Sequence, residues 1–136
     1  MNDPPTLLDT DIVSALMRRD ATATARARIY FADHHQYTFS AITRFEVLRG
    51  LLVRRTTVRA AEFQRLCLMS QILPLTDAVI DRAAVVYADL HRRGALIGDC
   101  DILIAATALE QGLALATNNE AHFGRIPGLT IDNWLN

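Results

Sequence analysis

Carboxylates stand at three points of the sequence where a strand is predicted to end or a helix to begin. Asp9 directly follows two leucines, Glu46 lies in the first turn of a predicted helix, and Asp101 introduces a strongly apolar helix. A buried carboxylate is costly unless it is hydrogen-bonded or binds a metal ion. Several converging carboxylates suit hard cations such as Mg²⁺ or Mn²⁺, which activate water for attack on a phosphodiester. One interpretation of these acids is therefore metal-assisted hydrolysis.

Each acid also has a purely structural interpretation. Asp9 is in position to cap the following helix, and Glu46 fits the last position of a capping box that begins at Thr43. Asp99 and Asp101 stand two residues apart and do not share a helical face, so we expect one to cap the helix while the other projects elsewhere. Both interpretations stay open at this point.

The elements that must position these acids alternate between strands and helices. Apolar or β-rich runs predict strands at 6–9, 37–40, 72–75, 113–117 and 129–131, with Pro74 favouring an edge position for the third. Helical periodicity and capping signals predict helices at 11–19 (or from Ser14), 22–32, 43–55, 58–70, 76–93 (or from Asp77) and 99–111. This alternation is typical of an α/β fold with a mostly parallel sheet flanked by helices. In such sheets ligands bind beyond the carboxyl ends of the strands, where Asp9, Asp101, Asn118 and Asn119 are predicted to lie.

The composition limits the classes of function. The chain has 136 residues, a length typical of one domain, with 51% hydrophobic residues and a formal charge of −1. All 14 basic residues are arginine, which excludes mechanisms that need a lysine, such as a Walker P-loop or a Schiff base. Cys67 and Cys100 fit no metal-ligand spacing and are expected to be reduced. No signal peptide or membrane span is apparent, so we expect a soluble, cytoplasmic protein.

The near-neutral charge conceals an uneven distribution. Residues 43–65 carry a net charge of +4, whereas residues 77–136 carry −4. Arginine recognises phosphates well, so the basic segment is a candidate RNA-facing surface, in particular through Arg44, Arg49, Arg54 and Arg55. A solvated helix face explains most of these arginines equally well. Gly50 interrupts the same predicted helix at a cost of about 1 kcal/mol relative to alanine, which indicates a demand for space there.

Four segments together resemble the PIN domain, and more narrowly the VapC-like toxins of type II toxin–antitoxin systems. In order they are LLDTDIVSAL, SAITRFEVLRGL, IGDCDILIAATAL and LATNNEAHFGRIPGLTIDNW. The resemblance implies a single PIN-like domain over residues 1–136, with a central mostly parallel sheet. It also implies a Mg²⁺- or Mn²⁺-dependent endoribonuclease that acts as the toxin of a toxin–antitoxin pair.

The resemblance also assigns roles to individual residues. It implies that Asp9, Glu46 and Asp101 are catalytic and hold the metal ion directly or through its waters. Asn119 occupies a position where many relatives carry an acid, and Asp99 is an additional carboxylate, so both are further candidate ligands. Thr10, Ser40 and Thr117 are candidates to orient the carboxylates or metal-bound waters. The implied partners are an RNA substrate, a second copy of the chain and a cognate antitoxin whose extended segment blocks the acidic site.

Two alternatives come from different classes of protein. Asp9-Thr10-Asp11 is similar to the DxD of aspartate-nucleophile phosphatases, but Val13 stands where those enzymes usually carry a threonine. A non-catalytic α/β module that binds RNA or a protein partner through the arginine-rich helices is the other alternative. The histidines favour neither, since His122, for example, has no predicted partner nearby in the sequence.

Overall fold

The sheet of the computed structural model, which describes residues 3–136, has five strands that are all parallel. The strands lie in the order β3-β2-β1-β4-β5. Their bounds are Thr6–Leu8 for β1, Tyr37–Ser40 for β2, Ser70–Leu73 for β3, Ala114–Ala116 for β4 and Ile131–Asp132 for β5. The strand β1 is central, so the residue that follows it lies in the middle of the carboxyl edge of the sheet.

Helices cover both faces of this sheet. Their bounds are Thr10–Met17 for α1, Ala21–His34 for α2, Ala41–Arg54 for α3, Thr57–Leu68 for α4, Asp77–Arg92 for α5, Asp99–Gln111 for α6 and Glu120–Phe123 for α7. Leu7 packs in one apolar cluster with α5 and α6, whereas its neighbour Leu8 packs in a second cluster with α1 to α4. Adjacent strand residues point to opposite faces, which explains why β1 is apolar without alternation. The predicted α/β fold with a parallel sheet is confirmed.

Two predicted helix starts are wrong, and both errors concern site residues. Helix α1 begins at Thr10 rather than at Asp11 or Ser14, because Asp9 is its N-cap. Helix α3 begins at Ala41 rather than Thr43, because the Ser40 hydroxyl accepts a hydrogen bond from the Thr43 N–H at 3.1 Å. The capping box is therefore wrong, and Glu46 lies beyond the first turn, free of any capping role.

Smaller differences concern the strand bounds. Ser70 was predicted to end a helix but begins β3, because α4 stops at Leu68. The last strand is Ile131–Asp132 rather than 129–131, since the chain turns at Gly128 with φ +81° before it reaches the sheet. The edge position predicted from Pro74 is confirmed for β3. Of the helices in residues 3–136, none is long and apolar enough to span a membrane.

Candidate active site at the carboxyl edge of the sheet

Asp9 lies directly after β1 and is 5% exposed. One carboxylate oxygen accepts a hydrogen bond from the Thr10 N–H at 2.8 Å, and the other accepts one from the Thr117 hydroxyl at 2.8 Å. Thr117 follows β4, the neighbouring strand, so two adjacent strand ends fix this carboxylate. The helix-capping interpretation of Asp9 is confirmed, and the same side chain faces the ligand-binding edge of the sheet.

Asp11 is a site residue that the sequence analysis did not select. Its Oδ2 accepts hydrogen bonds from the Asn118 N–H at 2.9 Å and from the Thr117 hydroxyl at 3.4 Å. Its Oδ1 is buried and has no hydrogen-bond partner within residues 3–136. The available signal is the two-residue spacing of Asp9 and Asp11, which is the same spacing that makes this segment similar to the DxD of phosphatases.

Asp9 and Asp11, here called the inner pair, have an unusual electrostatic environment. Burial, and then the negative charge of Asp11, raise the pKa of Asp9 to about 8, although the hydrogen bonds from Thr117 and Thr10 oppose this. Within the described part of the chain, neither acid forms an ion pair with an arginine or histidine. The inner pair thus combines a desolvated carboxyl with a second acid, and no counterion for either comes from residues 3–136.

Glu46 and Asp101, here called the outer pair, come from α3 and from the first turn of α6. The Thr10 hydroxyl donates to Glu46 Oε1 at 2.7 Å, and Arg49 donates to Glu46 Oε2 at 3.3 Å. Burial and the charge of Glu46 raise the pKa of Asp101, as does the more distant Asp11. The outer pair therefore lies within electrostatic range of the inner pair, and Thr10 links the two.

The short helix α7 brings two further polar side chains to Asp101. His122 Nδ1 lies 3.7 Å from Asp101 Oδ2 and 2.9 Å from Asn119 Nδ2. The Asn119 N–H donates to the Thr117 hydroxyl at 2.9 Å, which ties this segment to the inner pair. The expectation that His122 lacks a partner concerned sequence neighbours only, and the fold supplies one from α6.

Other predicted site residues take different positions. Ser40 caps α3 and makes no hydrogen bond to a carboxylate within residues 3–136. Gly98 is the N-cap of α6 without a side-chain hydrogen bond, so the expectation that Asp99 or Asp101 caps this helix is wrong. Asp99 is exposed in the first turn. The helix needs no side-chain cap here because its N-terminus lies at the surface, where water can satisfy the N–H groups.

The four predicted RNA-facing arginines have different surroundings. Arg49 pairs with Glu46, and Arg54 lines a groove that begins at Glu46. Arg55 ends α3 in a left-handed conformation with φ 54°. Arg44 is exposed near Cys67, whose thiol pKa it tends to lower against the larger effect of burial. Only Arg49 and Arg54 therefore adjoin the acids.

The donor chemistry of the site fits a divalent cation. All four acids offer oxygen ligands, and the buried, unpartnered Oδ1 of Asp11 would be satisfied by a cation or by its waters. Within residues 3–136, no three histidine, cysteine or acidic side chains converge closely enough to hold one ion together. This is compatible with Mg²⁺, which usually keeps several waters and binds through one or two carboxylates.

Comparisons with known proteins agree with this geometry. The PIN domain model matches residues 6–129. Ribonuclease VapC1 of Rickettsia felis is 30% identical over 129 residues, which cover 92% of each chain. Ribonuclease VapC2 of the same organism is 44% identical over 46 residues, but these residues cover only 34% of the length of that protein.

A solved structure shows the same fold. The crystal structure of VapBC2 from Rickettsia felis bound to a DNA fragment from their promoter contains a chain that superposes with a TM-score of 0.84 and 22% identity. The superposition covers 95% of this chain and 98% of that one. The family match extends from β1, which directly precedes Asp9, to the segment that follows α7, and so includes every acid of the site. The chain therefore belongs to the PIN domain family, in the group of VapC ribonucleases.

Proposed function

We propose that this protein is a divalent-cation-dependent endoribonuclease and the toxin of a toxin–antitoxin pair. The observation that carries the proposal is the inner pair, a buried carboxylate beside an unpartnered buried carboxylate oxygen at the central strand end. Two acids placed so closely without a counterion destabilise the fold unless a cation joins them. Membership of the VapC group makes RNA the substrate class that this site serves.

Mg²⁺ or Mn²⁺ is the cofactor that the oxygen donors favour. Asp9, Asp101, Glu46 and also Asp11 would hold the cation directly or through its waters. Asp99 and Asn119 are further candidate ligands. When bound, such an ion lowers the pKa of a coordinated water and offsets the charge of the scissile phosphate.

The chain itself holds the carboxylates in position for this chemistry. Thr117 donates to both acids of the inner pair, and the Thr10 hydroxyl holds Glu46. Asp9 and Asp11 are thus oriented by neutral donors, which leave their negative charge available to a cation, whereas Glu46 also pairs with Arg49. His122 borders Asp101 and in turn contacts Asn119, so both residues of this segment adjoin the outer pair.

We also propose two protein partners, a cognate antitoxin and a second copy of the chain. An apolar cavity of about 500 Å³ lies between α1, α2 and the end of α4, lined in part by Leu16, Phe31, Leu66 and Met69. Nearby, Leu68 is 87% exposed. Exposed apolar surface of this kind is typical of protein interfaces. Measuring the mass of the protein in solution, alone and after co-expression with an adjacent small gene product, tests both partners.

Cleavage of a single-stranded oligoribonucleotide by the purified protein tests the catalytic proposal. We expect cleavage with Mn²⁺ or Mg²⁺, none with EDTA, and none by Asp9→Asn or Asp101→Asn. Asp33→Asn is the matched control, since Asp33 is exposed on α2 and remote from the strand ends. Cleavage that persists in EDTA or in Asp9→Asn would overturn the metal-dependent mechanism. A protein that binds but never cleaves RNA would be the non-catalytic module instead.

A further inference from the structure

A groove of about 580 Å³ runs from Glu46 between α1 and α3 and reaches the start of α4. Its inner end is formed by Thr10 and Glu46, so it is continuous with the acidic site. Apolar side chains of Met17, Val47 and Leu51 also line it. Volumes of roughly 300–1,000 Å³ accommodate small organic ligands, the size class of one or two nucleotides.

Gly50 leaves this groove open without serving the fold. Glu46, Gly50 and Arg54 are spaced four residues apart, so they share one face of α3. A Cβ atom at Gly50 would meet no atom of the chain within 4 Å. A glycine inside a helix is less favourable than alanine, and no packing contact within the described chain explains it. The space above Gly50 is therefore available to a molecule other than the chain itself.

The far end of the groove is positively charged. Arg18, Arg54 and Arg59 line it, all three are exposed, and none forms an ion pair within residues 3–136. Arg49 differs, because Glu46 pairs with it at 3.3 Å. The groove thus begins at an acid of the site and ends among arginines without partners, a distribution that complements a polyanion approaching the acidic site.

We propose that this groove holds the nucleotides adjoining the scissile phosphate of a single-stranded RNA. A base lies in the space above Gly50, against the apolar side chains, and the backbone phosphates meet Arg18, Arg54 and Arg59. Guanidinium groups bind phosphates in this way, and unpaired bases are free to leave the stack and contact protein. This inference rests on the proposed ribonuclease activity and assigns its substrate path.

Filling the space above Gly50 tests the path. We expect Gly50→Leu to raise KM for an oligoribonucleotide by about 10-fold relative to its effect on bis(p-nitrophenyl) phosphate, a diester too small to need the groove. Gly50→Ala should fold normally and have a smaller effect of the same kind. Val53→Leu is the control, since Val53 is 82% exposed on the same helix and does not line the groove.

Removing the charges gives a second measurement that does not depend on cleavage. We expect Arg54→Gln and Arg59→Gln each to weaken binding of a labelled oligoribonucleotide in EDTA. Each should also reduce the slope of log affinity against log salt by about 0.7 for a single strand. Arg65→Gln is the control, because Arg65 is exposed on α4 outside the groove.

The outcomes separate this inference from the proposed function. If the wild-type protein hydrolyses neither substrate with a cation, the proposed function fails and this inference fails with it. If it hydrolyses both, but Gly50→Leu and the arginine variants treat RNA as the wild-type protein does, only the groove assignment is overturned. It is equally overturned if poly-L-glutamate binding depends on these residues and RNA binding does not, since the groove would then receive an acidic protein segment.

Discussion

The inner and outer pairs of acids lie in electrostatic range of each other but differ in how the fold holds them. Asp9 is 5% exposed and fixed by two hydrogen bonds, whereas the side chains of Glu46 and Asp101 are 17% and 27% exposed. Asp9 directly follows the central strand β1 and Asp11 lies in the first turn of α1, whereas the outer pair is carried by two separate helices. Burial therefore acts on Asp9 of the inner pair, where it raises the pKa of the carboxyl, while both acids of the outer pair keep contact with solvent and Glu46 lines the groove.

This difference suggests a division of labour. Under the proposed function, the inner pair would anchor the cation, and the desolvation of Asp9 would strengthen that interaction. The outer pair, with His122 beside Asp101 and the groove beside Glu46, would contact the RNA. Substitutions in the inner pair should therefore remove cation binding, whereas those in the outer pair should weaken catalysis with less effect on the cation.

The largest effect is expected from Asp9→Asn. Asparagine can still accept from the Thr10 N–H, and its NH₂ can donate to the Thr117 hydroxyl oxygen, but it removes the charge that would hold the cation. Loss of a residue that only orients a ligand typically costs about 10–100-fold, so loss of the ligand should reduce RNA cleavage by at least about 100-fold. Initial rates with Mn²⁺ check this, with Asp33→Asn as control. A rate within a few-fold of wild type would show that the inner pair is not the anchor.

The next effect is expected from Thr117→Val. Its hydroxyl lies within donating distance of both Asp9 and Asp11, so its removal leaves each carboxylate with a single backbone donor. We expect about 10–100-fold weaker activation by the cation. Thr107→Val is a matched control, because Thr107 is also buried but donates only to the Leu103 carbonyl of its own helix. Equal behaviour of the two variants would contradict an orienting role for Thr117.

Glu46→Gln is expected to have a smaller effect. Glutamine still accepts a hydrogen bond from Thr10, but it loses the charge and the pairing with Arg49. We expect about a 10-fold lower kcat for RNA, with the cation concentration for half-maximal activity changed less than in Thr117→Val. A titration of activity with Mn²⁺ separates the two parameters. If half-maximal activation shifts more in Glu46→Gln than in Thr117→Val, the proposed division of labour is wrong.

The smallest effect concerns stability. The pKa of Asp9 is raised to about 8 in the folded protein, so folding favours its protonated form. Its favourable contribution is complete below the unfolded pKa of 3.8 and is lost as the pH rises through about 8. In EDTA, Asp9→Asn should therefore be more stable than wild type by about 1 kcal/mol or more near pH 8 and above, but not near pH 4. Thermal melts at both pH values check this, and a difference independent of pH would contradict it.

The predictions that depended on local patterns were the more accurate ones. The parallel sheet, the edge position of β3 and the strand that ends at Asp9 all follow from apolar runs and from Pro74. Glu46 and Asp101 were selected by their positions at predicted helix starts, with support from the resemblance. These predictions agree with the structure because each depends only on a few residues that are neighbours in the sequence.

What the sequence did not predict depends on contacts between distant segments. Asp11 joins the site only because Thr117 and Asn118, more than 100 residues away, donate to it. His122 gains Asp101 as a neighbour through the short helix α7, and Ser40 replaces Thr43 as the cap of α3. The groove was even harder to predict from the sequence, since its arginines come from three separate segments, at the ends of α1 and α3 and at the start of α4. Gly50 was the one local indication of it.

Titration calorimetry of Mn²⁺ binding to the wild-type protein and to Asp9→Asn tests the central claim most directly. If the inner pair anchors the cation, the wild-type protein binds Mn²⁺ and releases protons near pH 7, because cation binding displaces the proton that Asp9 holds below its pKa of about 8. Asp9→Asn then neither binds comparably nor releases these protons, while Asp33→Asn behaves as wild type. Equal affinity and equal proton release in wild type and Asp9→Asn would contradict the account.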